Sequence, residues 1–344
     1  MMKRNLENYV RDLNIAKQSG DKAGEGRAYC FIGIAYKNLG DFKQALYYHK
    51  QDLSIAKGLR ERVGEGRAYA NLGNAYQGLG DFKKAIDYHN QALNIAKELG
   101  RRDGEGRAHA NLGIAYQGLG DFKKAIDCHN QAQSIAKKLG RRDGEGRAHA
   151  NLGNAYTSLG DFKKAIDYHN QALSIAKELG WRDWEGRAYA NLGIAYTSLG
   201  DLKKAIDYHN QALGIAKELG WRDGERLAYA NLGTAYQGLG DFKQAIDYHK
   251  QALGIAKELG QRDGEALAYA NLGTVFQGLG DLKQAIDYHK QALSIAKELD
   301  QVEKRCFSGV TATFGSRKIS LRSIFKALGR KIIFYVLNPS LPRK

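Results

Sequence analysis

Asparagine and arginine recur along this 344-residue chain at a fixed interval of 40 residues. An asparagine amide offers both a hydrogen-bond donor and an acceptor, so it can hold an extended peptide backbone whatever side chains that peptide carries. An arginine guanidinium adds a planar fork of donors that suits carboxylates. The recurring positions are Arg27, Arg67, Arg107, Arg147 and Arg187, then Asn71, Asn111, Asn151, Asn191, Asn231 and Asn271.

The nine histidines invite a metal-binding interpretation, but their spacing argues against one. Metal ligands must converge to within about 2 Å of one ion, whereas seven histidines are spread one to each 40-residue segment. We therefore predict hydrogen-bonded core histidines and no metal. No catalytic signature or phosphate-binding loop occurs either, so we expect a chain that is not an enzyme and binds no cofactor. The seven histidines are His49, His89, His129, His169, His209, His249 and His289.

The interval of 40 residues points to the elements that position these side chains. The motif "LGDFK" or "LGDLK" begins seven times, first at Leu39 and last at Leu279. Self-similarity at this scale is typical of a solenoid, in which each unit buries its apolar face against its neighbours.

Helix start and stop signals divide each repeat into two helices. We predict that Asp103 caps the first helix, that the region of Gly118 to Gly120 ends it, and that Asp121 caps the second, which ends near Leu139. The turn between them is short, so the two helices must fold back as an antiparallel pair.

Apolar residues form one stripe on the first helix, since Tyr69, Leu72, Tyr76 and Leu79 follow each other at helical spacing. The small residue Gly73 beside this stripe predicts a close approach of the second helix.

These residues resemble the tetratricopeptide repeat, with a period of 40 instead of the usual 34. The sequence departs from that family at His89, which replaces an aromatic residue, and at Lys97, where proline is frequent. The longer repeat is similar to those of the LGN/Pins G-protein-signalling modulators and of large many-repeat animal tetratricopeptide proteins. The motif residues are Leu72, Gly73, Tyr76, Gly80, Ala85 and Ala92.

The resemblance implies an all-α fold, an α-solenoid of tetratricopeptide-type helical hairpins that forms a right-handed superhelix. We expect a half-repeat helix at 1–20 and a basic tail at 301–344, which is an amphipathic helix, a capping helix or disordered chain. Between them we expect seven repeats, at about 21–60, 61–100, 101–140, 141–180, 181–220, 221–260 and 261–300.

In that superhelix one side of each first helix lines a concave groove where ligand peptides lie, and the resemblance places the recurring asparagines and arginines there. An ordinary solvated helix face is the alternative interpretation, although lysine, glutamate or glutamine would serve such a face better. The predicted peptide-binding residues are Arg67, Asn71, Asn74, Arg107, Asn111, Arg147, Asn151, Asn154, Trp184, Arg187, Asn191, Asn231 and Asn271.

Differences between repeats predict a polarity along the groove, because the arginine position becomes Leu227 and Leu267 in the last two repeats. Trp184 extends the ligand stripe, and aromatic anchors of this kind often dominate binding. For Trp181 and Trp221, which stand in turns between repeats, covering of helix ends is the favoured interpretation.

The net charge of +16 is concentrated in the tail, since residues 301–344 carry ten of the lysines and arginines and one acidic residue. The repeats therefore lack the continuous basic stripe of a nucleic-acid-binding array. A basic amphipathic segment at about 317–337 is suited to an anionic membrane surface.

The sequence thus favours a cytoplasmic, non-catalytic adaptor that binds an extended, partly acidic peptide of a partner protein and takes no small-molecule substrate. By resemblance, such an adaptor belongs to G-protein-signalling or cell-polarity assemblies. Two alternatives stay open: binding of RNA or anionic membrane through the tail, and self-assembly through the ends of the array.

Overall fold

The structure is a computed structural model that describes the backbone of residues 2–309 and the side chains of residues 6–299. The described residues form fifteen α-helices. They are α1 (Met2–Ser19), α2 (Lys22–Asn38), α3 (Phe42–Gly58), α4 (Arg62–Gly78), α5 (Phe82–Glu98), α6 (Arg102–Leu119), α7 (Phe122–Lys138), α8 (Arg142–Leu159), α9 (Phe162–Glu178), α10 (Arg182–Leu199), α11 (Leu202–Glu218), α12 (Arg222–Gly238), α13 (Phe242–Glu258), α14 (Arg262–Gly278) and α15 (Leu282–Gly309).

The chain divides into two compact units, one mainly Met1–Gly160 and the other mainly Asp161–Arg305. Within each unit every helix packs against the next one in sequence, and the first helices of adjacent repeats also touch, as α4 and α6 do. Helical hairpins stacked on their neighbours make an all-α repeat solenoid, as predicted. The handedness of the predicted superhelix stays a prediction.

Capping within a repeat agrees with the sequence at one helix start and differs at the other. Asp121 caps α7, because its Oδ1 accepts a hydrogen bond of 3.2 Å from the backbone N–H of Lys124. Gly120, with a φ of 87°, ends α6 in the left-handed conformation. The prediction that Asp103 caps the first helix is wrong: the N-cap is Arg101, which makes no side-chain capping bond, and Asp103 lies in the first turn.

The two helices of a hairpin meet at a glycine and a histidine. The seven repeated histidines of the second helices are almost fully buried. In repeat 2 a Cβ placed on Gly73 would come within 2.4 Å of the His89 ring, so only glycine allows this approach. The predicted close contact at Gly73 is therefore confirmed, and it depends on an imidazole.

The predicted ends of the array are only partly described. Helix α1 packs against α2 through Leu13, which lies in a buried cluster with Tyr29 and Ile32. The last helix, α15, continues to Gly309, past the boundary predicted near residue 300. Residues 310–344, including the predicted membrane-binding segment at 317–337, lie outside the described residues. Within the described part, none of the helices is long and apolar enough to cross a membrane.

Candidate functional site

All but one of the predicted peptide-binding residues of the first unit line two open clefts on the side formed by the first helices. The first cleft, of about 470 Å³, lies between α4, α5 and α6, and the second, of about 440 Å³, lies between α6, α7 and α8. The two clefts adjoin, because both are lined by Asn74, Arg107 and Asn111. Arg67 and Asn71 line the first cleft in addition, and Arg147 and Asn151 line the second.

The asparagines and arginines of the clefts differ in their exposure to solvent. The "NLG" asparagines are half-buried in every repeat that carries them, whereas Arg107 and Arg147 have exposed side chains. Small residues of the second helices, including Ala92 and Ala132, form part of the cleft walls. The asparagine amide groups are thus half-buried in the clefts, and the guanidinium groups of Arg107 and Arg147 are exposed at their openings. We call these exposed arginines the arginine rim.

Aspartates on the same helices form ion pairs with the arginines of the clefts. These pairs were not predicted from the sequence. Arg107 Nη2 lies 2.9 Å from Asp103 Oδ2, and Arg147 Nη2 lies 3.7 Å from Asp143 Oδ2. The members of each pair are one helical turn apart and the arginines are largely exposed, so each pair contributes only a few tenths of a kcal/mol. The "RDGEGR" spacing of four residues was the signal for them.

Arginines at two N-cap positions also line the clefts and were missed. Arg101 lines the first cleft, and Arg141 lines the second, where it pairs with Asp143 at 3.1 Å. The same N-cap position holds Trp181 and Trp221 in the second unit. This variation among otherwise similar repeats was the visible signal that could have singled out the position.

The arginine of the second repeat has a different environment. Arg67 Nη2 lies 3.2 Å from Oδ1 of Asp52, a carboxylate of the preceding second helix that is only 1% exposed. Burial raises the pKa of Asp52, while the charge of Arg67 and its hydrogen bond oppose that rise. Beside them, the Asn71 amide donates to Cys30 Sγ at 3.5 Å. Asn71 therefore has a hydrogen-bond partner on the first helix of the preceding repeat.

The second unit carries an aromatic and cationic cluster at its first complete hairpin. The Arg187 guanidinium lies 5.4 Å from the centre of the Trp221 ring, which folds back over Gly224. Trp181 and Trp184 meet edge to face with ring centres 5.1 Å apart. Trp221 therefore covers a helix start, as predicted, and also supports a predicted ligand residue.

The remaining predicted residues are placed as follows. Asn191, Asn231 and Asn271 are half-buried on α10, α12 and α14 of the second unit. Asn154 is exposed and lines neither of the two clefts described for the first unit. In the sixth repeat, Leu227 is 43% exposed at the arginine position, and the neighbouring Arg226 is buried beside Asp223 at 2.8 Å.

The histidines do not form a binding site. Among the described residues no group of three or more histidine, cysteine or acidic side chains could hold a metal ion. Desolvation on burial lowers the pKa of each of the seven repeated histidines to about 4. The prediction of buried histidines is correct, but that of fully hydrogen-bonded ones is wrong, since their Nδ1 atoms have no partner among the described protein atoms.

Comparisons with solved structures find the same fold in proteins of low identity. The apo form of the quorum sensor NprR from B. thuringiensis is 18% identical, with 86% of this chain and 84% of that chain covered and a TM-score of 0.69. A Rap protein complexed with competence and sporulation factor is 18% identical over 81% of this chain and 76% of its own, with a TM-score of 0.62. BtubC from P. vanneervenii is 23% identical over 64% of this chain and 92% of its own, with a TM-score of 0.57.

Sequence comparison identifies the family. No curated protein matches the chain. The family model described as tetratricopeptide repeat matches residues 25–98, 64–138, 104–178, 144–218 and 225–298. Repeats of this family typically act as scaffolds for protein interactions. Since these matches extend over well more than half of the sequence and agree with the stacked helical hairpins, the chain belongs to the tetratricopeptide repeat family.

Proposed function

We propose that this chain is a non-catalytic adaptor that binds an extended, partly acidic segment of another protein along its first helices. The observation that carries the proposal is the pair of adjoining clefts in the first unit, where Asn74, Arg107 and Asn111 line both. An extended guest can accept and donate backbone hydrogen bonds with the half-buried amides while its carboxylates meet the arginine rim.

Charge supports an acidic guest over a basic one. The first cleft is lined by Arg67, Arg101 and Arg107 and by no acidic residue. In the second cleft three arginines face Asp103 and Asp143. A guest carboxylate can replace either aspartate as the partner of its arginine at little cost, because both arginines are largely exposed. Steering by such a rim raises the association rate more than it raises the final affinity.

The fold comparisons are consistent with this proposal without naming a partner. The Rap protein of the same fold was solved with competence and sporulation factor bound. A cytoplasmic location and a place in G-protein-signalling or cell-polarity assemblies are expectations from the sequence, and they belong to the same proposal.

Affinity capture tests the proposal. The full chain and its Asn111→Ala, Asn151→Ala double variant serve as baits, and bound proteins are compared by quantitative mass spectrometry. The double variant should fold, because alanine is the better helix former. A partner captured by the native chain and lost by the variant would lie in the clefts. Equal capture of every protein by both baits would contradict the proposal.

The tail provides the second candidate function, on the sequence observation that basic residues recur through 317–337. Removal of residues 310–344 should abolish binding to vesicles of anionic lipid and should leave partner capture unchanged. Equal vesicle binding by both chains would exclude a membrane role for the tail. Self-assembly through α1, where Ile15 is 56% exposed, would appear as a dimer in analytical ultracentrifugation.

A further inference from the structure

The junction between the first and second repeats departs from the other junctions at two positions. Asp52 stands where every other second helix of a complete repeat carries alanine, from Ala92 to Ala292. Val63 stands where the five following repeats carry the aspartate that precedes the ligand arginine or leucine by four residues, as Asp103 does. As a result, the carboxylate that pairs with Arg67 lies on the second helix of the preceding repeat, α3, and not on the same helix as the arginine.

The change of partner decides whether the arginine can bind a guest carboxylate. Asp103 is on the same helix as Arg107 and is one-third exposed, so solvent competes for both members of that pair. Asp52 is 1% exposed and comes from the preceding hairpin, and its Oδ2 has no hydrogen-bond partner among the described protein atoms. If Arg67 turned outward to a guest carboxylate, it would leave a buried charge unpaired, which is strongly unfavourable. The exposed fraction of the Arg67 side chain is accordingly 42%, against 66% for Arg107.

With Arg67 neutralised in this way, the α4 and α5 walls of the first cleft are largely apolar, and its two other arginines, Arg101 and Arg107, come from the α6 side. Val63, Ile95 and Leu99 line these walls together with alanines, and Val63 is 46% exposed. The second cleft, in contrast, has Asp103 and Asp143 with three arginines in its lining. The wall formed by α4 and α5 is therefore apolar, whereas charged side chains line the α6 side of the first cleft and the second cleft.

We propose that the Asp52–Arg67 pair makes the first cleft a subsite for an apolar side chain, so that the guest carboxylates are confined to Arg107 and Arg147. This inference rests on the proposed function and specifies its partner as an extended segment with an apolar residue on one side of an acidic pair. Neighbouring packed helices lie about 8–10 Å apart, and an extended chain advances about 3.3 Å per residue. About three residues therefore separate the apolar residue from the first carboxylate.

Two synthetic peptides test the inference by fluorescence anisotropy with the full chain. Both carry two glutamates, and about three residues away one peptide has leucine and the other has glutamate. The native chain should prefer the leucine peptide by about tenfold, the cost of placing a carboxylate against the apolar α4–α5 wall while Asp52 holds Arg67. The Asp52→Ala variant, which restores the residue of the other repeats, frees Arg67 and should lose or reverse that preference.

Two further variants keep the outcome decisive. Asp52→Asn preserves the shape of the side chain and removes its charge. It replaces Asp52→Ala in the test if that variant lowers the helical signal in circular dichroism, and it should also reduce the preference for the leucine peptide. Arg107→Ala with Arg147→Ala should weaken both peptides equally. If both peptides bind through Arg107 and Arg147 but Asp52 variants keep the full leucine preference, the inference is wrong and the proposed function stands. If neither peptide binds the native chain, the inference and the acidic-guest proposal both fail.

Discussion

The imidazole of His209 lies directly against Gly193 of the partner helix in its hairpin, where an added Cβ would stand 2.4 Å from ring atoms. The contact joins α10 to α11 and has a counterpart in the other hairpins described within each unit, from Gly33 and His49 to Gly273 and His289. It explains why a residue that weakens helices is kept at the centre of the first helix.

Gly193→Ala should therefore destabilise the fold although alanine favours helices. Overpacking against a rigid buried ring costs about 1–3 kcal/mol, which exceeds the gain of about 1 kcal/mol from replacing a helical glycine. Gly214→Ala is the matched control, because no atom lies within 4 Å of its added Cβ, and it should stabilise. Urea unfolding followed by circular dichroism measures both, and equal effects of the two substitutions would contradict the packing account.

The buried histidines predict that stability falls in mild acid. The unfolded chain takes up protons near pH 6.5, the ordinary imidazole pKa, whereas burial keeps the pKa of the folded histidines at about 4. Stability is therefore greatest above about pH 6.5 and is lost as the pH falls toward 4, by about 1.4 kcal/mol per pH unit for each histidine.

Unfolding free energies at several pH values between about 7 and 5 test this slope. His209→Gln removes one titrating group. It should therefore reduce the slope of the unfolding free energy against pH by the contribution of one bound proton, whatever its effect on the absolute stability. A slope that the substitution leaves unchanged would show that other groups dominate the pH dependence.

Arg60 predicts a stabilising substitution. It has a φ of 57°, at a turn position where the next five repeats have glycine, such as Gly100 with a φ of 63°. A side chain in this left-handed conformation costs about 1–2 kcal/mol, so Arg60→Gly should raise the melting temperature. Gly100→Arg, the reciprocal change in the same type of turn, should lower it. The two substitutions should change the melting temperature in opposite directions. A lower melting temperature for Arg60→Gly would contradict the left-handed turn geometry.

Tryptophan fluorescence reports on the second unit alone, because all three tryptophans, Trp181, Trp184 and Trp221, lie in its cluster. Arg187→Ala uncovers one face of Trp221 and should shift the emission to longer wavelength and increase quenching by acrylamide. Arg147→Ala, in the first unit, should change neither. Identical spectra for Arg187→Ala and the native chain would contradict the stacked arrangement.

Recurrence made most of the fold predictable and marked the residues of the candidate site. Seven copies of one pattern fix the helix pairs, the buried histidines and the stripe of Arg107, Asn111 and their counterparts. The sequence could not show contacts that join unlike repeats. Asp52 is visible as a break in an alanine series, but its contact with Arg67 depends on how two hairpins stack. The same holds for Arg187 and Trp221, which meet only because a turn folds back over Gly224.

The central claim is that the arginine rim of the first unit captures an acidic peptide. Its most direct test is the affinity of the full chain for a synthetic extended peptide rich in glutamate, measured by calorimetry at several salt concentrations. The Arg107→Ala, Arg147→Ala variant should bind about tenfold more weakly, mainly through slower association, and with a shallower salt dependence. Lys83→Ala with Lys163→Ala removes the same charge from exposed positions on second helices and should have little effect. Equal losses in the two double variants would mean that net charge, and not the clefts, governs binding, and would contradict the account.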